Sequence, residues 1–331
     1  MTDNILVTGG AGFIGHHLVE HLLKNTDMNI YIIDRLTYAG NLNRLVDIDC
    51  WNQESHRVKF VYHDFRANFE PVMNHMPLFK YIIHMGAESH VDRSITDPAL
   101  FAESNVIGTV NVLNYARAVK PELMIYVSTD EVYGAVESGH LHKEGEPFNP
   151  SNPYSASKAG AEVFCKAFHK SYGLPVIISN TMNNFGERQD PEKFVPLTMK
   201  RMITKQPVIL HCRKDKNGVV VDVSSRCWLH ARNHADGLLF LLTNGVPGES
   251  YNIVGEKKTV VEVAAYIAGV LNTDFKVELH DFHSFRPGHD MHYGLDGSKM
   301  ESLGWVPPLS YADSLRKTIL WTKSNPLWLG V

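Results

Sequence analysis

The sequence predicts an α/β fold, a doubly wound parallel sheet completed by a smaller C-terminal substrate-binding portion. Three observations carry that prediction. Short β-branched runs recur through residues 1–180, most are unbroken apolar stretches rather than alternating ones, and each is followed by a helical pattern or a polar loop. Unbroken runs mark strands buried on both faces, as in parallel sheets covered by helices. Strands alternating with helices wind through right-handed crossovers into a Rossmann-type sheet.

The predicted strands are Ile5–Thr8, Ile30–Asp34, Val58–Tyr62, Tyr81–His84, Leu123–Val127 and Val176–Ser179. Between the first two, Phe13, Ile14, Leu18, Val19, Leu22 and Leu23 are spaced for one face of a helix. Further helices are predicted over about Pro98–Val119 and Ser155–Tyr172. Beyond Asn180 the segments become irregular, punctuated by Pro191, Pro196, Pro207, Pro247, Pro287, Pro307 and Pro308. Helical patterns return at Val260–Leu271 and Tyr311–Ser324, and Arg213–Gly218 reads as a polar hairpin tip. Residues 1–180 are therefore expected to form one domain, rejoined by roughly 226–252, and residues 181–331 the substrate portion.

The 331 residues are 44% hydrophobic and 21% charged, which excludes disorder, collagen and coiled coil. Net charge is −4 with no block of like charges, so nucleic acid and anionic membranes are poor partners. Cys50, Cys165, Cys212 and Cys227 have no paired spacing, as expected of free thiols in a reducing compartment. The start MTDNILVTGG lacks a basic segment, and apolar stretches such as Leu238–Leu242 are too short to span a bilayer. A soluble, cytoplasmic protein is expected.

The first strand runs into GGAGFIG, with glycines at 9, 12 and 15, and then into a helix. A phosphate approaches closely only where backbone N–H groups are unobstructed and a helix N-terminus points at it. By itself the pattern is a weak signal, and a tight turn is the alternative reading. The second strand, however, ends at Asp34, nineteen residues after Gly15, where a carboxylate accepts hydrogen bonds from adenosine ribose hydroxyls. A 2′-phosphate there meets like charge, which favours NAD over NADP. Arg35 tempers this, because a guanidinium can hold a phosphate.

Tyr154 and Lys158 lie four residues apart on a predicted helix and so share a face. A phenol serves as a base near neutral pH only if a nearby cation stabilises its phenolate, which Lys158 and a nicotinamide can do together. Taken singly, the pair reads as two surface residues. A third motif, Ser128-Thr129-Asp130-Glu131-Val132-Tyr133-Gly134, follows an apolar strand. Ligands of open α/β sheets sit outside the carboxyl ends of strands, and two adjacent acids there suit a site needing both a base and an acid.

Together these motifs resemble the extended short-chain dehydrogenase/reductase superfamily, and within it the dTDP-glucose 4,6-dehydratases. The resemblance runs almost the whole chain: Leu36–Leu45 (LTYAGNLNRL), Ala87–Ile95 (AESHVDRSI), STDEVYG, YSASKAGAE, PEKFVP (Glu192, Lys193) and Arg286–Asp290 (RPGHD) all match. The Asp–Glu pair discriminates, since related epimerases and decarboxylases typically lack both acids and GDP-mannose dehydratases usually keep only the glutamate.

The resemblance implies an internal redox elimination with tightly held NAD on a nucleoside-diphosphate hexose, most simply dTDP-glucose. It implies Tyr154 as base at the sugar 4-hydroxyl, Thr129 sharing that hydrogen bond, Lys158 beside them, Glu131 as the base at C5 and Asp130 as the acid at the C6 hydroxyl. For the cofactor it implies Gly9, Gly12, Phe13, Ile14, Gly15, Asp34, Arg35, Leu36, Thr37, Asp64, Phe65, Met85, Gly86, Ala87, Ser104 and Asn184, with Tyr154 and Lys158. For the substrate it implies Ser89, His90, Thr129, Asn183, Lys193, Arg226, Asn252, Arg286 and His289. Apolar faces on the helices over 98–119 and 155–172 would pair across a two-fold axis in a homodimer.

The departures fall in the substrate half. The family's Arg-Asp-Trp is Arg226-Cys227-Trp228 here, Val-x-Asp-His is Ala231-Arg232-Asn233-His234, the acid before Arg-Pro-Gly-His is Phe285, and Tyr-Gly-Pro is Phe185-Gly186-Glu187. Arg213–Ser225 is also longer than the usual loop. The chemistry is therefore expected to be intact while the nucleotide or sugar is open, a UDP-, CDP- or GDP-sugar dehydratase or a 4-epimerase being the alternatives. An NAD-binding regulatory protein is disfavoured because Tyr154, Lys158, Asp130 and Glu131 all survive. His280, His283, His289 and His292 suggest zinc by spacing alone, without the usual Cys or carboxylate ligands, so no metal is expected. Cys227 reads as a small packed residue rather than an activated thiol.

Overall fold

The structure is a computed structural model describing residues 2–136, 140–281 and 290–331. Its centre is a seven-stranded parallel sheet of β1 (Asn4–Thr8), β2 (Asn29–Asp34), β3 (Val58–Tyr62), β4 (Tyr81–His84), β5 (Leu123–Thr129), β6 (Val176–Thr181) and β11 (Ser250–Ile253). The spatial order is β11-β6-β5-β4-β1-β2-β3, so the chain reverses its direction of winding between β1 and β4. Crevices beside such a reversal are where ligands bind in open α/β sheets.

Burial on both faces explains the unbroken apolar strands. Ile5, Val7, Ile30, Ile32, Ile125 and Ile177 pack under α1 (Phe13–Asn25) and the helix Ala231–Asn244. Leu6, Ile33, Ile82, Met124, Tyr126 and Ile178 pack under α2 (Gly108–Val119) and α3 (Pro153–Tyr172). The helical stretch leading into α2 begins at Pro98–Phe101 and carries one π-turn at Ala102–Ile107. Helix α3 starts from a capping box in which Asn152 and Ser155 satisfy each other's backbone, with Pro153 at the first helical position.

Two three-stranded sheets complete the C-terminal half. One is β12-β10-β7, from Glu256–Thr259, Ser225–His230 and Asn183–Phe185, and the other is β13-β8-β9, from Val277–Asp281, Val208–Lys214 and Val220–Val223. The polar stretch at 213–218 is a hairpin tip between β8 and β9, as expected. Of the segment 226–252, the helix Ala231–Asn244 packs on α1 and β11 pairs with β6, whereas β10 belongs to the small sheet. The strands β7 to β13 are additions to the sequence reading. Most are five residues or fewer, and β7, β10, β11, β12 and β13 pair only with strands more than twenty-five residues away in sequence, so they leave little local pattern.

Candidate active site

A single long cleft runs along the carboxyl ends of β1 to β6. It is lined by the glycine turn, by Asp34, Arg35 and Thr37, by Phe65, by Met85 to Ser89, by Thr129 to Glu131, by Tyr154 and Lys158, and by Asn183, Asn184 and Lys193.

At one end the chain leaves β1 through Gly9, whose φ of +73° suits glycine. A Cβ on Gly15 would lie 2.1 Å from the Gly9 carbonyl oxygen, so only glycine lets α1 start this close to the turn. No side chain caps α1 at Gly12, which leaves its first-turn N–H groups facing the cleft. Asp34 Oδ2 accepts from the Ala11 N–H at 3.1 Å and Oδ1 from the Leu36 N–H at 2.8 Å, which fixes the carboxylate at the end of β2. Leu36 contributes through its backbone, at φ +53°.

Arg35 donates to Asp64 at 3.1 Å and to Glu88 at 2.8 Å, so its guanidinium is already committed to two carboxylates. Burial opposes ionisation of Asp64, but hydrogen bonds from Arg66 and the charge of Arg35 outweigh it and hold that carboxyl at about 2. The doubt the sequence left about Arg35 is thereby answered: among the described residues no uncommitted guanidinium stands beside Asp34 for a 2′-phosphate, and the residues present fit NAD. Asp64 itself is engaged with Arg35 and Arg66 rather than exposed to the cleft, while Phe65 and Ser104 line it.

At the other end the motif after β5 turns sharply. Thr129 donates to Asp130 Oδ1 at 3.0 Å, and the other Asp130 oxygen is buried with no partner among the described residues. Burial, then the neighbouring Glu131, pushes Asp130 up to about 7. Burial also raises Glu131, against hydrogen bonding from Asn152. Asn152 Nδ2 reaches Glu131 Oε2 at 3.2 Å and the Tyr293 hydroxyl reaches the same oxygen at 3.4 Å. Asn152 thus caps α3 and holds the acid at once, a role its N-cap position hints at; Tyr293 arrives from a distant strap and carried no local signal.

Tyr154 and Lys158 sit one turn apart on α3, as the spacing predicts. Their electrostatics differ from that prediction. Burial, then Glu131, drives the Tyr154 phenol up, while Thr129 hydrogen bonding opposes them. Lys158 donates to the Val127 carbonyl at 2.7 Å over the Tyr126 ring, and burial brings it down to about 8. In the protein alone burial, reinforced by the two acids, therefore keeps the phenol protonated, and the lysine does not overcome them.

The substrate-side residues divide. Ser89, Asn183 and Lys193 line the cleft. His90 caps the short helix Val91–Thr96 and lies 3.4 Å from Glu192, beside the cleft. Arg226 does not present a free fork: its guanidinium donates to the carbonyls of Ser225, Asp290 and Met291 and covers the Tyr293 ring. Asn252 is fully buried, its amide spent on the carbonyls of His142 and Asp296, which makes it a brace rather than a pocket wall. Arg286 and His289, like His283 and Phe285, lie outside the described residues.

Cys227 is buried, and burial followed by Asp130 raises its thiol to about 11, the opposite of activation. His292 is held between Ser225 and Asp222, at 2.8 Å from each. Among the described residues one metal-capable set gathers, His140, His142 and Glu146, outside the cleft; their ligand atoms are already joined by two hydrogen bonds.

Comparison with known proteins agrees with this geometry. Residues 6–318 match the family described as GDP-mannose 4,6 dehydratase. The dTDP-glucose 4,6-dehydratase of Salmonella typhimurium is 37% identical over 98% of this chain and 94% of its own. The solved structure of DesIV, a dTDP-glucose 4,6-dehydratase from Streptomyces venezuelae with NAD bound, aligns at TM-score 0.87 and 37% identity, covering 98% of both chains. A dTDP-glucose 4,6-dehydratase from Bacillus anthracis in complex with NAD aligns at TM-score 0.86 and 33% identity, covering 99% of both.

Proposed function

Because the chain belongs to the GDP-mannose 4,6 dehydratase family, and within it to the dTDP-glucose 4,6-dehydratases, we propose that it is an NAD-dependent hydro-lyase converting dTDP-glucose to dTDP-4-keto-6-deoxyglucose. The observation that carries this reading is the acid pair of buried Asp130 and half-buried Glu131 beside Tyr154, at the far end of a cleft that begins at the glycine turn. An epimerase needs neither a C5 base nor a C6 acid; this chain carries both.

Residues 1–180, with the helix Ala231–Asn244 and β11, serve as the cofactor half, and the remainder receives the sugar nucleotide. The glycine turn and the first turn of α1 would hold the pyrophosphate, Asp34 the ribose, Phe65 the adenine side, and Met85, Gly86 and Ala87 the length of the cofactor between. When bound, NAD accepts the C4 hydride, returns it to C6, and brings positive charge near Tyr154.

That charge, with Lys158, is what offsets the two acids and lets Tyr154 take the 4-hydroxyl proton while Thr129 steadies the oxygen. The C4 carbonyl acidifies the C5 proton, which Glu131 removes. Asp130, neutral below about 7, gives its proton to the departing C6 hydroxyl, and water leaves. Glu131 then returns its proton to C5, and the proton held by Tyr154 restores Asp130 through solvent. Lys193 neutralises the diphosphate; Arg226 acts by fixing the strap at 290–293, which carries Tyr293.

Exposed Ile107 before α2 and exposed Val163, Phe164 and Tyr172 on α3 support a homodimer through these helices, to be checked by sedimentation. Among the described residues no helix is long and apolar enough to cross a membrane, and the unpaired cysteines support a reducing, cytoplasmic setting.

The test is incubation with dTDP-glucose in deuterated water, followed by mass spectrometry. Loss of water with one deuterium at C5 is expected. Turnover confined to another nucleotide sugar would move the specificity, and no turnover of any would overturn the reading.

A further inference from the structure

Among the buried charged residues that the mechanism leaves unused, one lies on the catalytic helix itself. Glu162 lies on α3 one turn beyond Lys158 and is completely inaccessible to solvent. An isolated carboxylate in such a place costs several kcal/mol, so its retention needs a reason.

Its surroundings supply one. Glu162 Oε1 accepts from Asn180 Nδ2 at 2.7 Å, and the same nitrogen donates to the Thr129 carbonyl at 3.3 Å. Asn180 sits on β6 directly beside Ser128 on β5, so one amide ties the floor of the α3 packing to the residue that begins the acid motif. The Ser128 hydroxyl also lies within reach of the Glu162 carboxylate and opposes its neutralisation by burial, while Asn180 Oδ1 is buried without a partner among the described residues. The face that α3 presents here is otherwise poor in negative charge. On α3 stand Lys158, Cys165 and Lys166; from β5 come Tyr126 and Ser128, from β6 Asn180, from β4 His84, and from the turn after β5 Tyr133.

We propose that Glu162 is a positioning residue of the dehydratase, a buried carboxylate that keeps the Lys158 ammonium charged from one helical turn away and, through Asn180, fixes the backbone of Thr129. The inference rests on the catalytic roles given above to Lys158 and Thr129. Charge and reach are separable. Glutamine removes the charge and keeps an oxygen for Asn180; aspartate keeps the charge and withdraws it by one methylene. The Lys158 part also agrees with the opposing effects at that ammonium, lowered by burial and raised by Glu162.

The experiment uses NAD-loaded protein with ¹³C-labelled lysine. The Lys158 resonance is identified by its absence in K158R, and its titration is followed in wild type, E162Q and E162D. In E162Q the midpoint falls by about one pH unit or more, because an opposing buried charge at this range is worth that much. In E162D the midpoint stays near wild type, while kcat for dTDP-glucose falls about tenfold at unchanged KM because Thr129 is no longer anchored. An unmoved midpoint in E162Q would overturn the electrostatic role, and an E162D enzyme with wild-type kcat would overturn the anchoring. If E162Q does not fold, E162D decides: a midpoint displaced as far as a full unit, or an unchanged kcat, sinks the proposal. The titration needs no turnover, so it stands apart from failure of the assigned reaction.

Discussion

Two ends of one sheet use the same residue types to opposite effect. Beyond β2, β3 and β4, the carboxylates of Asp34, Asp64 and Glu88 are met by backbone N–H groups or by Arg35 and Arg66, and Asp64 stays ionised down to about 2. Beyond β5, buried Asp130 and half-buried Glu131 lie beside each other and Tyr154, and Asp130 rises to about 7. At Asp64 the guanidinium contacts keep the charge, while at Asp34 burial pushes the carboxyl up against the two backbone hydrogen bonds that hold it down. The arrangement beyond β5 lets protons move near neutrality. Identical side chains acquire different chemistry from their neighbours.

The contrast breaks first at the proton-moving end. Tyr154→Phe and Glu131→Gln should each lower turnover of dTDP-glucose by about a thousandfold, within the range of lost acid–base groups. Both should keep NAD and melting temperature, and Glu131→Gln should abolish deuterium entry at C5. A Glu131→Gln enzyme that still dehydrates would remove the C5 base from this position.

Asp130→Asn is expected to cost about a hundredfold and to erase a limb of the pH profile. The wild-type acid is present below about 7 and lost above it, so kcat/KM should decline as pH rises through that value, and the variant should lack this decline. Stability follows the same sign. The folded value lies above the ordinary value of an aspartate, about 4, so the folded chain binds the extra proton between them and stability falls as pH rises from about 4 to about 7. Melting temperatures of wild type and Asp130→Asn should therefore converge on acidification and separate in favour of the variant near neutrality.

At the recognition end, Asp34→Ala should weaken NAD about 10- to 100-fold, the worth of one or two charge-assisted hydrogen bonds, and leave the turnover of saturated enzyme within a factor of a few. Isothermal titration with NAD reads this directly; an equal loss in kcat would blur the division between the two ends. Smallest of all, Tyr293→Phe removes one 3.4 Å hydrogen bond to Glu131 and should cost kcat about fivefold, with the pH profile displaced slightly toward higher pH.

Much of this was legible from residues alone because the governing interactions are local. The glycine turn, Asp34, the Thr129–Glu131 run and the Tyr154/Lys158 pair are each set by spacing within one strand–turn–helix unit, and the six predicted strands of the main sheet match the observed ones to within two residues at their ends. Long-range features were not legible. Arg226 looked like a free diphosphate ligand until the strap at 290–291 was seen to occupy its fork. Asn252 looked like a pocket residue until its amide was found bonded to chain more than forty residues away on either side. Neither the sharing of Arg35 by Asp64 and Glu88 nor the reach of Tyr293 to Glu131 has any local signature.

The sequence by itself determined six of the sheet's seven strands and the order of the motifs at their carboxyl ends, because apolar periodicity, glycine spacing and helical repeat act over a few residues. Only the tertiary structure decided the protonation of the groups in those motifs. Burial and cross-strand neighbours determine how costly each charge is, and both depend on segments brought together from distant parts of the chain.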